Sequence, residues 1–231
     1  MFSYYGSKAK LVKYYPRPVF DKIIEPFAGS ARYSLKYFEK DVLLVDKYDI
    51  VIRIWQYLQQ CSVKDIYGLP NLKAGYKIKR EDFDCIEQAW LMGFLIKRVQ
   101  KTPGLTVSEW GETEIIRSKK RIAQQLFKIK HWKFICGDYS IIPNQRATWF
   151  IDPPYQIQGI SYRHGSKNID FIKLGEYCKE RKGQAIVCEN SVAKWLPFVR
   201  MKEMNGLKRN TIDSIWSNEP TAFDYQQQLL F

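Results

Sequence analysis

The chain has 231 residues, 45% of them hydrophobic, and carries 37 Lys and Arg against 24 Asp and Glu, a net charge of +13. That length and composition build one well-buried domain with an excursion and exclude a disordered tail, while the basic excess favours a polyanionic partner. Two histidines (His131, His164) and five cysteines (Cys61, Cys85, Cys136, Cys178, Cys188) without a Cys-x-x-Cys clip leave little material for a zinc site, a disulfide framework or a histidine triad. The longest apolar runs, such as "AWLMGFLI", fall far short of the ~20 residues that span a bilayer, and the amino terminus lacks the shape of a signal peptide. A soluble, intracellular chain with neither membrane nor metal is expected, and the residues leave the oligomeric state open, a monomer included.

In chain order, "KIIEPF" reads as a short apolar strand, "GS" as a turn, "ARYSLKYFE" as a helix with Tyr33, Leu35 and Phe38 at helical spacing, and "VLLVD" as a second strand ending in an acid. A helix over Ile50 to Gln59 follows. Residues 61–133 then change character, with 15 Lys and Arg against 8 Asp and Glu, a net of +7 that includes "KAGYKIKR" and "RSKKR". Within them "EDFDCIEQAWLMGFLIKRV" puts Phe83, Ile86, Trp90 and Phe94 on one helical stripe, "KTPGLTVSEWGE" is a Pro/Gly loop, and "TEIIRSKKRIAQQLFKI" is an amphipathic helix turning Ile115, Ile122, Leu126 and Ile129 inward. "KFICGD" and "ATWFIDPPY" resume the sheet, "DFIKLGEYCKERKG" is a helix closed by Gly183, and "QAIVCEN" is the next strand. "FVRMKEMNG" and "TIDSIWSN" form a closing antiparallel hairpin. The domains are therefore expected as 1–60 with 134–231, a catalytic α/β unit, and 61–133, a basic helical insertion.

Three places carry chemistry. In "EPFAGSA" a strand delivers Gly29 to a tight turn before a helix, which serves either an ordinary strand–helix turn or a close backbone approach to a ligand. Asp46 ends the next strand, where an acid accepts from both hydroxyls of a ribose or caps the following helix. In "TWFIDPPYQ" an apolar run stops abruptly at two prolines, neither of which can donate to a sheet ladder, so Asp152 and Tyr155 sit at a strand's carboxyl end. A carboxylate acceptor, a proline carbonyl free of the ladder and a planar ring within one turn suit an exocyclic aromatic amine: Asp152 and the carbonyl of Pro153 hold its two hydrogens while Tyr155 stacks on its ring. Held this way, the nitrogen lone pair is kept out of the ring and available for attack.

Together "YYGSK", "EPFAGSA" and "DPPY", in that order and with a basic insertion between the last two, resemble the Dam-like DNA adenine N6-methyltransferases; "AIVCENSVAKWLPF" and "IDSIWSN" point to the small phage-type members. The resemblance covers nearly the whole chain. It implies a Rossmann-like class I methyltransferase sheet with a closing antiparallel hairpin and a helical insertion, S-adenosyl-L-methionine as cofactor, DNA as partner and the cytoplasm of a prokaryotic or phage-infected cell. Asp152, Pro153, Pro154 and Tyr155 match the catalytic motif. Tyr4, Tyr5, Gly6, Ser7 and Lys8 match the turn near the cofactor's methionine portion, Glu25, Pro26, Phe27, Ala28 and Gly29 the cofactor loop, Asp46 its ribose, and Asp138 with Tyr139 its adenine. Lys119, Lys120 and Arg121 are candidate phosphate contacts, and Tyr162 and Arg163, in the polar loop "QIQGISYRHGSKN", candidate contacts to an extruded base. Two positions depart from the family pattern: Tyr4 stands for its tryptophan, and Ala31 for the second glycine of F-x-G-x-G, tolerable there with an ordinary negative φ. Arg80, Arg98, Arg117 and Arg121 with Asn71, Gln124 and Gln125 are the few residues suited to bidentate base reading, so a short or relaxed target is expected. RNA or protein-glutamine methylation, and nucleic-acid binding without catalysis, are the competing functions; glutamine-directed relatives carry Asn where Asp152 stands.

Overall fold

A computed structural model describes residues 1–97, 100–157, 159–205 and 210–219. Five strands run parallel: β1 (Lys22–Glu25), β2 (Asp41–Asp46), β3 (Lys133–Cys136), β4 (Ala147–Ile151) and β5 (Gly183–Asn190). An antiparallel pair, β6 (Val199–Asn205) and β7 (Asn210–Ser217), completes a seven-stranded sheet of order β3-β2-β1-β4-β5-β7-β6. This is the Rossmann-like α/β sheet with a closing antiparallel pair that the sequence led us to expect. Strand order reverses between β1, which pairs with β2 on one side, and β4, which pairs with β5 on the other. In open α/β sheets that reversal opens a crevice beyond the carboxyl ends of the two strands.

The period-two alternation of the strands builds a core on each face. Ile23, Val42, Leu44, Phe150, Ile186 and Cys188 turn to one face, where they join α1 (Arg32–Lys36), α2 (Asp49–Gln60), α4 (Ile86–Leu95) and α5 (Gly111–Ala123). Ile24, Leu43, Val45, Trp149, Ile151 and Val187 turn to the other, against Leu174 and Cys178 of α6 (Phe171–Lys179). The helical insertion has no core of its own: Leu91, Phe94, Ile115 and Ile122 belong to the same buried cluster as Trp55 of α2 and Leu44 of β2. Among the described residues no helix is long and apolar enough to cross a membrane.

Several boundaries differ from the sequence reading. Ala31 has φ 45° and ψ 46° and not the expected negative φ, so α1 starts at Arg32, and it ends three residues early at Lys36 because Tyr37 (φ −118°, ψ 44°) leaves the helical region. α4 begins at Ile86; Phe83 is buried from the preceding loop, and Leu91, Met92, Phe94 and Leu95 bury the helix nearly all round. α6 ends at Lys179, and Gly183 opens β5 rather than closing the helix. An unexpected helix, α3 (Val63–Gly68), is started by Ser62, whose hydroxyl accepts from the Asp65 amide while the Asp65 carboxylate accepts from the Ser62 amide. The Ser-x-x-Asp spacing was its signal.

Candidate active site

Beyond the carboxyl ends of β1 and β4 lies a cavity of about 810 Å³, within the ~300–1,000 Å³ usual for small-molecule sites. Its wall contains Tyr4, Tyr5, Gly6, Ser7 and Lys8; Glu25 through Gly29; Asp46; Asp138 and Tyr139; Asp152 through Tyr155; and Tyr162 and Arg163. Every residue expected above to touch the cofactor or to form the catalytic motif, from five separate stretches of chain, thus borders one space.

The β1 side is a tight turn fixed from both ends. The Gly29 amide donates to Asp46 Oδ2 at 3.0 Å, the Tyr48 amide to Asp46 Oδ1 at 2.9 Å, and the Trp55 indole N–H to the Gly29 carbonyl at 3.0 Å. Gly29 has φ 43°, a conformation that favours glycine, and a Cβ there would stand 3.2 Å from the Tyr4 ring, which would have to shift by a few tenths of an ångström. Burial pushes the Asp46 carboxyl up to about 6 against those two amide donors. Each oxygen keeps a lone pair, which leaves capacity for a diol. Glu25, at the end of β1, is buried with its carboxylate accepting from the Ser34 amide at 2.8 Å, and burial drives it up to about 8. Phe27 and Tyr139 form an aromatic wall, ring centroids 5.5 Å apart. Asp138 caps the turn after β3, accepting from the Ser140 amide and hydroxyl, and pairs with Lys47 at 3.2 Å; burial opposes its ionisation, but these donors hold the carboxyl below its ordinary value.

The β4 side carries the tightest cluster of charge. Lys8 Nζ lies 3.0 Å from Asp152 Oδ1 and 4.4 Å from the centre of the Tyr155 ring. The Tyr155 hydroxyl donates to Asp213 Oδ1 on β7 at 2.8 Å, which fixes the ring's tilt. Burial raises the Asp152 carboxyl, the Lys8 ammonium opposes that rise, and Asp213 adds to it. Glu189, fully buried near the end of β5, accepts from the Gln156 amide at 3.0 Å and the Trp195 indole at 3.1 Å, pinning the chain as it leaves the proline turn. Over the opening, Tyr162 packs on Tyr4 and Tyr5, with centroids 6.2 and 5.3 Å away, and its hydroxyl donates to the Tyr5 carbonyl. A Cβ on Gly6, whose φ is 74°, would collide with that hydroxyl.

The basic cluster of α5 departs from expectation. Lys119 is 4% exposed and its ammonium donates to the Leu69 carbonyl and to Asn71 Oδ1, so it is a structural tie and not a phosphate contact. Arg121 is half-buried, donating to the Met1 carbonyl and Ser118 hydroxyl. Lys120 alone of the three is exposed, and none of them borders the cavity. Among the base-reading candidates, Arg80 is bound to the Phe83 and Asp84 carbonyls, Asn71 to Lys119 and Gln125 to the Met1 amine, while Arg117 and Gln124 are exposed and Arg98 lies outside the described residues. The sequence reading missed Asp213 and Glu189. For Glu189 the signal was present, since "QAIVCEN" carries an acid one residue before its end, close to where β1 and β2 carry theirs; for Asp213 there was none.

No protein-family profile and no curated protein matches this chain. Among solved structures, the chain is similar to "Putative methyltransferase yhhF from Escherichia coli" at 9% identity and a TM-score of 0.37, covering 93% of this chain and 81% of that one. It is also similar to a conserved hypothetical protein of Streptococcus pyogenes at 11% identity and a TM-score of 0.35, covering 86% of each.

Proposed function

We propose that the chain transfers a methyl group from S-adenosylmethionine to the N6 amine of adenine in DNA. The observation that carries this reading is the convergence, across the strand reversal, of the Gly29–Asp46 turn and the Asp152–Tyr155 turn on one cavity. The first has what a nucleoside cofactor needs: a glycine backbone open to close approach and a half-buried carboxylate with free lone pairs for a ribose. The second has what an aromatic amine needs. Asp46 and Asp152, half-buried at the ends of β2 and β4, also set carboxylates beside this space, and a cavity of about 810 Å³ has room for the cofactor together with a base.

When bound, S-adenosylmethionine supplies the methyl: its sulfur–carbon bond breaks as the nitrogen–carbon bond forms, and the sulfonium becomes a neutral thioether. Asp152 accepts one N–H of the amine and the Pro153 carbonyl the other, so the lone pair is aimed along the axis of transfer, while Tyr155 stacks on the base with its tilt set by Asp213. The nitrogen acquires positive charge as the bond forms and releases one proton, which Asp152 is placed to receive. An N6 inside a duplex is paired and stacked, so the base must be extruded, at a cost of a few kcal/mol. Exposed Lys10 and Arg163 at the cavity rim, in a chain of net charge +13, supply phosphate partners. Sequencing of modified bases in DNA from cells expressing the protein tests the reading. N6-methyladenine above the level of cells lacking it is expected; unmodified DNA alongside methylated RNA or protein moves the substrate to another class.

A further inference from the structure

The Lys8 side chain is 8% exposed and is held from its own backbone, because the Lys8 carbonyl accepts from the Leu11 and Val12 amides at 2.9 and 2.8 Å. Its ammonium faces Asp152 Oδ1 at 3.0 Å. That oxygen is sealed from solvent, whereas the Asp152 side chain as a whole remains 20% exposed and borders the cavity. The open part of the carboxylate is therefore the part that does not face the lysine. Asp152 is thus divided between one oxygen turned inward to a cation and one available to a ligand.

The groups that act on Asp152 come from every element around it. They are Asp213 of β7, Glu189 and Cys188 of β5, Glu25 of β1, Tyr155 of the proline turn, Tyr15 of the amino-terminal segment and Tyr162 of the loop above; all are acidic or neutral. Lys8 is the opposing cation. A buried carboxylate beside another acid protonates unless a cation is close. A protonated Asp152 would be a weaker acceptor for the amine's N–H, and a hydroxyl turned to the nitrogen would occupy the lone pair that has to attack.

We propose that Lys8 is a positioning residue of this site: its ammonium keeps Asp152 ionised and rotated so that Oδ1 faces the lysine and Oδ2 faces the substrate amine. Lys8 then acts on the target side of the cleft, and not as a ligand of the cofactor's methionine portion. The inference rests on the reading of the cleft as an amine-methylating site.

The test is a direct titration of the Asp152 carboxyl by carbon NMR, its signal assigned by loss in Asp152→Asn, in the wild-type protein, Lys8→Met and Lys8→Gln. Binding of S-adenosylmethionine and the pH profile of kcat are followed on the same proteins. Removing an opposite charge at this distance should raise the Asp152 midpoint by about 1 to 3 pH units in both variants. The acid limb of kcat should rise with it, while the cofactor Kd stays within about threefold, which also shows that the variants are folded. An Asp152 midpoint unchanged in both variants overturns the proposal. So does a loss of cofactor affinity of tenfold or more with the midpoint unmoved, which would make Lys8 a cofactor ligand. If the midpoint moves while the wild-type protein methylates no nucleic acid, the hold of Lys8 on Asp152 stands and the substrate assignment falls.

Discussion

Ala31 sits in the left-handed region where a glycine is conventional, and it is 2% exposed. Left-handed backbone costs an L-residue roughly 1–2 kcal/mol, but glycine would give up about 0.5–1 kcal/mol in entropy and about 0.8 kcal/mol of buried methyl. These nearly cancel, so Ala31→Gly should change stability by less than about 1 kcal/mol. A β-branched residue has no such compensation, and Ala31→Val should cost about 2 kcal/mol or more in urea denaturation; equal stability of the two variants would show that the turn relaxes to negative φ. Glu25 gives a pH signature. Its folded carboxyl titrates near 8, so from the ordinary carboxylate range up to about 8 the folded state holds a proton that the unfolded chain has released, and stability falls as pH rises through that window. Glu25→Gln keeps an oxygen for the Ser34 amide and has no proton to lose. Measured from pH 5 to 8, the variant should gain on the wild type by up to about 1.4 kcal/mol per pH unit. A constant difference across the range would mean Glu25 is already ionised at pH 5.

The lesson of α5 is one of register. "RSKKR" reads as a basic patch, but Lys119 lies four residues after Ile115 and three before Ile122, on the apolar stripe itself, so the helical period assigns it inward while Lys120 points out. Lys119→Ala should leave the Leu69 carbonyl and Asn71 amide without their donor and cost about 1–3 kcal/mol, against about 0.5 kcal/mol or less for Lys120→Ala. Equal values in thermal denaturation would return Lys119 to the surface. The ends of β1, β2 and β4 were legible because those three run from apolar residues into an acid. The left-handed Ala31 and the Tyr155–Asp213 bond were not, since one is a backbone choice open to several residues and the other joins positions 58 residues apart.

At the scale of the whole molecule, a chain of net charge +13 folds so that carboxylates collect at one crevice, Glu25, Asp46 and Asp152 at its wall and Glu189 just behind it, with lysines and arginines at its rim and over the outer surface. Because Glu25 holds its proton up to about 8, Asp46 and Asp152 are the acids of this wall placed to meet an amine, and the basic rim is where the DNA of the proposed reaction would dock. If phosphates meet the rim, converting Lys10 and Arg163 to Gln should lower the slope of log affinity for duplex DNA against log salt by about 0.9 for each phosphate left without its cation. An unchanged slope would move the DNA to another face. The account's central claim, that Asp152 receives an adenine amine for methyl transfer, is tested most directly by incubating wild-type and Asp152→Ala protein with S-adenosylmethionine and duplex DNA and measuring N6-methyladenosine among the digested nucleosides by mass spectrometry. The wild type should produce it, and the variant should produce none while still binding the cofactor. Product formed equally by both, or a methyl group on a different atom of the DNA, would contradict the account.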